Sequence, residues 1–255
     1  MNRYQQKLEE SKAYYDQRFG KETGNPSDIN LDETYRWKVL ESVLIKITAT
    51  QGSDKLNILD FGCGRGWLSQ KLTAFGNVTG VDLSSESVKR AAGFFPEVTF
   101  KVINAAEPVS NQLPPAFYDI VVSSEVIEHV LNQEEYINNI YTLLKPGGFL
   151  VMTTPNARWY AYHFYKDRET WKQPVEQWLS KEQILQKLNP LFKIEILNTF
   201  HAHWIHDYKT FGTPGLLGNF LLRKMLTLFG LKKNFLKFLE NHGYGLYHIV
   251  CARKK

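Results

Sequence analysis

The chain has 255 residues, 43% of them hydrophobic and 22% charged, the balance of a folded globular protein rather than a disordered one. Its longest stretch without a charged side chain, Thr210–Leu222, has 13 residues, too short to span a bilayer as a helix. The net charge of +5 is modest and gives no reason to expect a nucleic-acid partner.

Gln5–Phe19 is polar and helix-friendly, and Gly20 ends it. A turn-rich stretch, Gly24–Asp28, leads to a second helix from about Asp32 to Ile47, where Leu40, Val43, Leu44 and Ile47 recur at helical spacing. Short apolar runs separated by helices follow. Leu56–Asp60, Val78–Val81, Val98–Ile103, Tyr118–Ser123 and Phe149–Thr153 read as strands. Trp67–Phe75 reads as a helix, Ser84 caps another that Pro96 stops, and a further helix ends at Lys145-Pro146-Gly147-Gly148. Ser180–Gln183 is a capping box, Phe192–Phe200 alternates as a strand, and Tyr244–Cys251 is a last strand.

Strands and helices alternating in this way predict an α/β, Rossmann-like fold, a mostly parallel seven-stranded sheet with helices on both faces. The expected organisation is a helical cap over residues 1–50, a core over 51–204, an inserted helical segment over 205–242 and the final strand over 243–255. The insertion exceeds ordinary loop length. Its apolar residues (Leu216, Leu217, Phe220, Leu236 and Leu239 among them) suggest two amphipathic helices, either packed on the domain or forming a lid. Residues 205–255 hold nine Lys/Arg, including Arg223, Lys224, Lys232 and Lys233, against Asp207 and Glu240, a balance of +7. Such a segment suits a phosphate-bearing ligand or peripheral contact with a membrane surface. Two cysteines, Cys63 and Cys251, exclude a disulfide framework, and a polar N-terminus without a secretory core completes the expectation of a cytoplasmic location.

Asp60-Phe61-Gly62-Cys63-Gly64-Arg65-Gly66 follows a strand and opens a helix, the setting of a nucleotide-binding loop, and Asp82 ends the next strand where ribose hydroxyls would lie. Asp60 beside the loop would repel a pyrophosphate, and G-x-G-x-G lacks dinucleotide spacing. Both features favour S-adenosylmethionine, whose ammonium and sulfonium a carboxylate attracts, over a nicotinamide cofactor.

The segment Ile58–Gly66 resembles motif I of the class I S-adenosylmethionine-dependent methyltransferases. Gly80–Ser84, Phe117–Val121, Ser124–Val130 and Leu144–Leu150 match later motifs in order. The resemblance implies cofactor contacts at Asp60, Gly62, Cys63, Gly64, Gly66, Asp82, Leu83, Asn104, Ala105 and Ser124. Asn104 departs from the aspartate common there, and its amide would bond the adenine amino group through its oxygen. The ubiquinone-biosynthesis O-methyltransferases carry an arginine before motif I that meets the cofactor carboxylate. Arg36 is similarly placed, and a solvated helix arginine is the alternative.

Glu125, Glu128 and His129 lie at i, i+3 and i+4, which would put them on one face of a short helix. His129 is a candidate base; the three are alternatively ligands for Mg2+, as in those relatives, or merely hold the cofactor loop. His201, His203 and His206 form a second cluster at the end of the sixth strand, where His201 and His203 would line the acceptor pocket or serve a structural, solvent-exposed role. Trp159, Tyr160, Tyr162, Phe164, Tyr165, Trp171 and Trp178 would offer a sugar or apolar group a stacking platform, or form a satellite core. The leading expectation is O-methylation of a small-molecule acceptor, a saccharide or a lipid-phosphate-linked or secondary-metabolite hydroxyl. A quinol or phenol is the alternative, and an oxidoreductase or a non-catalytic binding module are readings from other classes. A nucleobase amine is disfavoured, since Ser123-Ser124-Glu125 lacks the Asn/Asp-Pro-Pro clamp.

Overall fold

The computed structural model describes residues 3–51, 55–159, 173–202 and 230–255. Seven strands form one sheet in the order β3-β2-β1-β4-β5-β7-β6: β1 (Leu56–Phe61), β2 (Gly76–Asp82), β3 (Thr99–Val102), β4 (Tyr118–Ser124), β5 (Leu144–Pro155), β6 (Phe192–Phe200) and β7 (Tyr247–Lys254). The pairs among β1 to β5 are parallel, and β7 runs antiparallel to both β5 and β6. The order reverses between β1 and β4, and a sheet of this kind opens a ligand crevice at the carboxyl ends of its strands there.

Side-chain alternation divides the core between the two faces. Ile58, Ile120, Val151 and Ile249 join Leu40, Leu44, Leu68 and Leu72, from α2 (Leu31–Thr48) and α3 (Trp67–Leu72). Leu59, Val121, Leu150 and Val250 join Tyr136, Ile140, Ile184 and Leu188, from α5 (Gln133–Leu143) and α6 (Lys181–Leu188). Caps fix where these helices begin. Asn30 and Glu33 form a reciprocal box at α2, Ser180 and Gln183 another at α6, and Ser84 caps α4 (Ser85–Phe94).

Three boundaries differ from the sequence reading. The helix at Trp67 stops at Leu72, and α5 stops at Leu143 because β5 already begins at Leu144. The last strand starts at Tyr247, after the Gly243–Gly245 turn. The cap also divides: α2 belongs to the core, whereas α1 (Arg3–Gly20) buries only Ser11. In the insertion, α7 (Lys232–Asn241) packs on the core. Leu236 and Leu239 enter the core, Thr199 Oγ1 donates to the Glu240 carbonyl (2.6 Å), and Glu240 Oε1 accepts from the Ala202 N–H (3.1 Å). Arg223, Lys224 and the other half of the insertion lie outside the described residues, as do His203, His206, Tyr160, Tyr162, Phe164, Tyr165 and Trp171. Among the described residues, no helix is long and apolar enough to cross a membrane.

Candidate active site

A cleft of about 690 Å3 lies over the carboxyl ends of β1, β2 and β4. One wall is backbone. The N–H groups of Gly62 and Cys63 both donate to the Val81 carbonyl (2.8 and 2.9 Å), which turns the loop sharply off β1. Gly62 has φ 94°, and a Cβ there would sit 2.4 Å from Val126 Cγ2, so the position accepts only glycine.

Gly62, Cys63, Gly64, Asp82, Leu83, Asn104, Ala105 and Ser124 all line this cleft, as does Arg36. Asp60 and Gly66 do not. The Asp60 carboxylate is buried beneath the loop, where Oδ2 accepts from Ser69 Oγ (2.6 Å). Burial pushes its pKa up to about 7, and Oδ1 has no hydrogen-bond partner among the described residues. Gly66, at φ 84°, opens α3, and its missing Cβ lets Ala91 and Phe100 pack close.

Asp82 accepts from the Gly64 N–H through Oδ2 (2.8 Å) and from the Ser84 N–H through Oδ1 (2.9 Å). It therefore holds the loop as well as any ligand, and removing it would loosen both. Burial raises its pKa, and those backbone donors work against the rise. Asn104 Oδ1 accepts from the Ala106 N–H (3.0 Å), which identifies that atom as the oxygen and leaves Nδ2 as a buried donor without a partner among the described residues. The sequence had assigned the oxygen to the ligand.

Five buried polar atoms of lining residues lack a hydrogen-bond partner among the described residues: Arg36 Nε, Arg65 Nε, Asn104 Nδ2, Glu125 Oε1 and Glu128 Oε1. An unmet buried donor or acceptor costs about 1–3 kcal/mol. Of these, the Arg36 guanidinium, the Glu125 carboxylate and the Asn104 amide donor match a carboxylate, an ammonium and a ring nitrogen, the polar parts of S-adenosylmethionine. The residues fit that cofactor. Burial lowers the Arg36 pKa, but Glu125, Tyr247, Glu33 and Asp32 outweigh it and raise the net value, so the arginine stays charged.

The other wall is side chains. Glu125 does not share a helical face with Glu128 and His129. It sits ahead of the single 3-10 turn Ile127–His129, in the left-handed region at φ 58°. Its N–H donates to the Thr153 carbonyl (3.0 Å), which holds this costly conformation at the end of β4. Glu128 is 1% exposed; Oε2 accepts from Thr154 Oγ1 (2.9 Å), and Oε1 lies 3.7 Å from His129 Nε2. Burial pushes both glutamates up to about 7.

His129 Nδ1 lies 3.0 Å from the Val175 carbonyl. A carbonyl only accepts, so Nδ1 carries the proton and Nε2 keeps its lone pair. Burial lowers the His129 pKa, which keeps the ring neutral, with Nε2 free of a proton. Among the described residues, no group of three or more His, Cys, Asp or Glu side chains could hold a metal ion.

The sequence reading missed several lining residues, among them Tyr15, Phe19, Gln173, Glu176 and Tyr247. For the helix a signal existed: Tyr4, Leu8, Ser11, Tyr15 and Phe19 recur every three or four residues, one face of α1. Two expectations fall. His201 is not in the cleft lining but stacks on Tyr35 (4.9 Å between centroids), 3.3 Å from Asp32. Trp159 stacks on Tyr244 and donates Nε1–H to the Gly243 carbonyl (2.8 Å), so it is packing; Trp178 does line the cleft.

Residues 31–200 match the methyltransferase domain family. Among relatives, the ubiquinone biosynthesis O-methyltransferase of Rickettsia akari is 35% identical over 126 residues, 48% of this chain and 50% of that protein. The mitochondrial ubiquinone biosynthesis O-methyltransferase of Mus musculus is 31% identical over 191 residues, 63% of this chain and 50% of that protein. The chain thus spans about half the length of these curated relatives. An S-adenosylmethionine-dependent methyltransferase from Mesorhizobium loti has the same fold, with a TM-score of 0.61 at 20% identity over 88% of this chain and 100% of that one. Fold, cleft and match agree: the chain belongs to the class I S-adenosylmethionine-dependent methyltransferases.

Proposed function

We propose that the chain moves a methyl group from S-adenosylmethionine to a hydroxyl of a small-molecule acceptor, a phenol or quinol, with His129 as the base. The observation that carries this reading is the His129–Val175 bond, which reserves Nε2 as a proton acceptor at the cleft wall. The relatives' name, ubiquinone biosynthesis O-methyltransferase, supports oxygen as the acceptor atom.

When bound, the cofactor supplies a methyl carbon already activated by its sulfonium. Arg36 would hold its carboxylate, Asp82 its ribose, and Asn104 its adenine. His129 Nε2 would take the acceptor's hydroxyl proton as the new C–O bond forms and the C–S bond breaks. Glu128, with Oε1 beside that nitrogen, would steady the imidazolium so formed. Tyr15, Phe19 and Trp178 would exclude water from the transfer.

His129→Ala should lower kcat by about 10²-fold while S-adenosylmethionine affinity, read by titration calorimetry, stays put. A fully active variant would return His129 to a structural role. Assaying a panel of catechols, quinols and saccharides separates the acceptor classes. A saccharide keeps one supporting observation, Trp178 in the cleft lining. Contact with a lipid-phosphate acceptor or membrane surface would draw on Lys232 and Lys233 at the start of α7, and salt-sensitive binding to anionic vesicles is its readout. Activity lost on adding EDTA and restored by magnesium would reassign Glu125, Glu128 and His129 to a metal.

A further inference from the structure

Helix α1 is fastened to the cleft in an unusual manner. It buries no apolar side chain; Ser11 alone is buried, and Oγ of that serine donates to the Lys7 carbonyl of the same helix (2.9 Å). Its attachments are polar or aromatic, and they fall on the loops that line the cofactor wall. Tyr4 donates to the Ala106 carbonyl (3.1 Å), next to Asn104 and Ala105. Asp16 Oδ1 accepts from Ser84 Oγ (2.6 Å) and the Glu86 N–H (3.3 Å), just past Asp82 and Leu83. Phe19 lies against Gly64, whose added Cβ would sit 3.4 Å from Phe19 Cζ.

One attachment goes the other way. Tyr15 donates from its hydroxyl to Gln173 Oε1 (2.6 Å), and its ring stacks on Phe19 (6.3 Å) and meets the His129 ring edge-on (6.4 Å). Gln173 lies in a strap, whose described residues 173–178 have little regular structure of their own. The Val175 carbonyl in this strap accepts from His129 Nδ1, and the Gln177 N–H donates to the Glu128 carbonyl (2.8 Å). Gln133 Nε2 donates to the Gln177 carbonyl (3.2 Å) and pins the far end. The near end is held from above by Tyr15.

We propose that Tyr15 is a positioning residue: through Gln173 it fixes the strap whose Val175 carbonyl orients His129, so the base is set only while α1 lies closed over the cofactor loops. This rests on the reading of His129 as the base. The chain of contacts gives the enzyme an order of events. A helix without buried apolar side chains lifts at small cost. With α1 lifted, the loops at Gly64, Asp82 and Ala105 are open to the cofactor, and the strap loses its contact with Tyr15. With α1 closed, the cofactor is covered and the imidazole is aimed by the same movement. The charged groups facing that ring are Glu128 and Glu125 beside it, Glu176 on the strap and Arg18 on α1. Closure thus also brings a cation near, which favours the neutral ring.

The test needs no acceptor. In the full chain labelled with 13C-histidine, NMR reads the tautomer and titration of His129, and calorimetry with S-adenosylmethionine reads the cofactor wall. Wild type should show a single Nδ1–H tautomer titrating below the ordinary histidine range. Tyr15→Phe keeps the ring and removes only the hydroxyl; Gln173→Ala removes the other partner. Each should mix the tautomers, and cofactor affinity should change by no more than about threefold. The double variant should go no further than either single one, as partners in one contact do. Unchanged His129 signals in both single variants, or effects that add in the double, would overturn the proposal. Absence of S-adenosylmethionine binding by wild type would strike the proposed function instead, because the histidine signals are read on the free chain.

Discussion

At the glycine loop, hydrogen bonds run between backbone atoms, or from backbone to one carboxylate: Gly62 and Cys63 to Val81, Gly64 and Ser84 to Asp82. Across the cleft, the groups that matter are side chains held by other side chains or by strap carbonyls: His129 by Val175, Glu128 by Thr154, Tyr15 by Gln173. A wall of backbone tolerates no change of shape and has few groups that titrate. A wall of buried carboxylates and an imidazole tolerates changes of shape and responds to pH. The first wall suits a ligand that is always the same, and the second suits one whose proton must leave.

The largest expected effect breaks the backbone wall. Gly62→Ala places a Cβ 2.4 Å from Val126 Cγ2 in a residue at φ 94°. Left-handed strain and overpacking together should cost about 2–4 kcal/mol of stability. Melting curves and cofactor titration should fall together. A variant that melts normally yet loses the cofactor would mean that the loop relaxes and only its contact surface was altered.

The next effect sharpens the other wall. Glu128 has a folded-state pKa of about 7 against an ordinary 4.5, raised by burial. The folded state therefore holds this proton more tightly than the unfolded chain does. Its contribution to stability is complete below the ordinary value and is lost as pH rises through about 7. Asp60 and Glu125, also at about 7, act in the same direction. His129, lowered by burial, opposes them, since its contribution is present at high pH and lost on acidification. The carboxylates are more numerous, so the ligand-free chain should melt lower at pH 8 than at pH 6. Glu128→Gln should remove on the order of 2 kcal/mol of that dependence. A slope identical to wild type would show that Glu128 is hydrated in solution.

The two walls also differed in what the amino-acid sequence disclosed. Gly62, Gly64 and Asp82 were legible because a tight turn off a strand restricts residue type at fixed spacing, whatever the rest of the chain does. The parallel core was legible for a similar reason: Ile58 and Leu59 alternate between faces, and the alternation survives in the sequence. Asp60 was placed in the right element, but spacing along a strand does not reveal how deep a loop folds back, and the carboxylate lies buried outside the cleft lining. Glu125 was put on a helix because i, i+3 and i+4 spacing suits one, but its backbone turns left-handed before the helix starts. Gln173 and Val175 had no signal at all. Their role depends on a carbonyl and an amide brought to His129 by tertiary packing, and any residue supplies a carbonyl.

The smallest expected effect lies where the walls meet. Arg65, on the glycine loop, donates from Nη2 to Glu33 Oε2 (2.7 Å) and to the Asp28 carbonyl (2.9 Å). Glu33 Oε2 also accepts from the Asn30 N–H (2.9 Å), as part of the box that starts α2, the helix of Arg36. The ion pair therefore ties the glycine loop to the helix that presents the guanidinium of Arg36. The side chains of Arg65 and Glu33 are 21% and 13% exposed, so solvent screens the pair in part. Arg65→Ala should cost under about 1 kcal/mol of stability. Its effect on S-adenosylmethionine should be about two- to fivefold, felt through the position of Arg36 rather than by contact. In an Arg36→Ala background the Arg65 effect should then vanish. If it persists there at full size, Arg65 meets the cofactor directly, and the glycine loop is not the purely backbone surface contrasted here with the His129 wall.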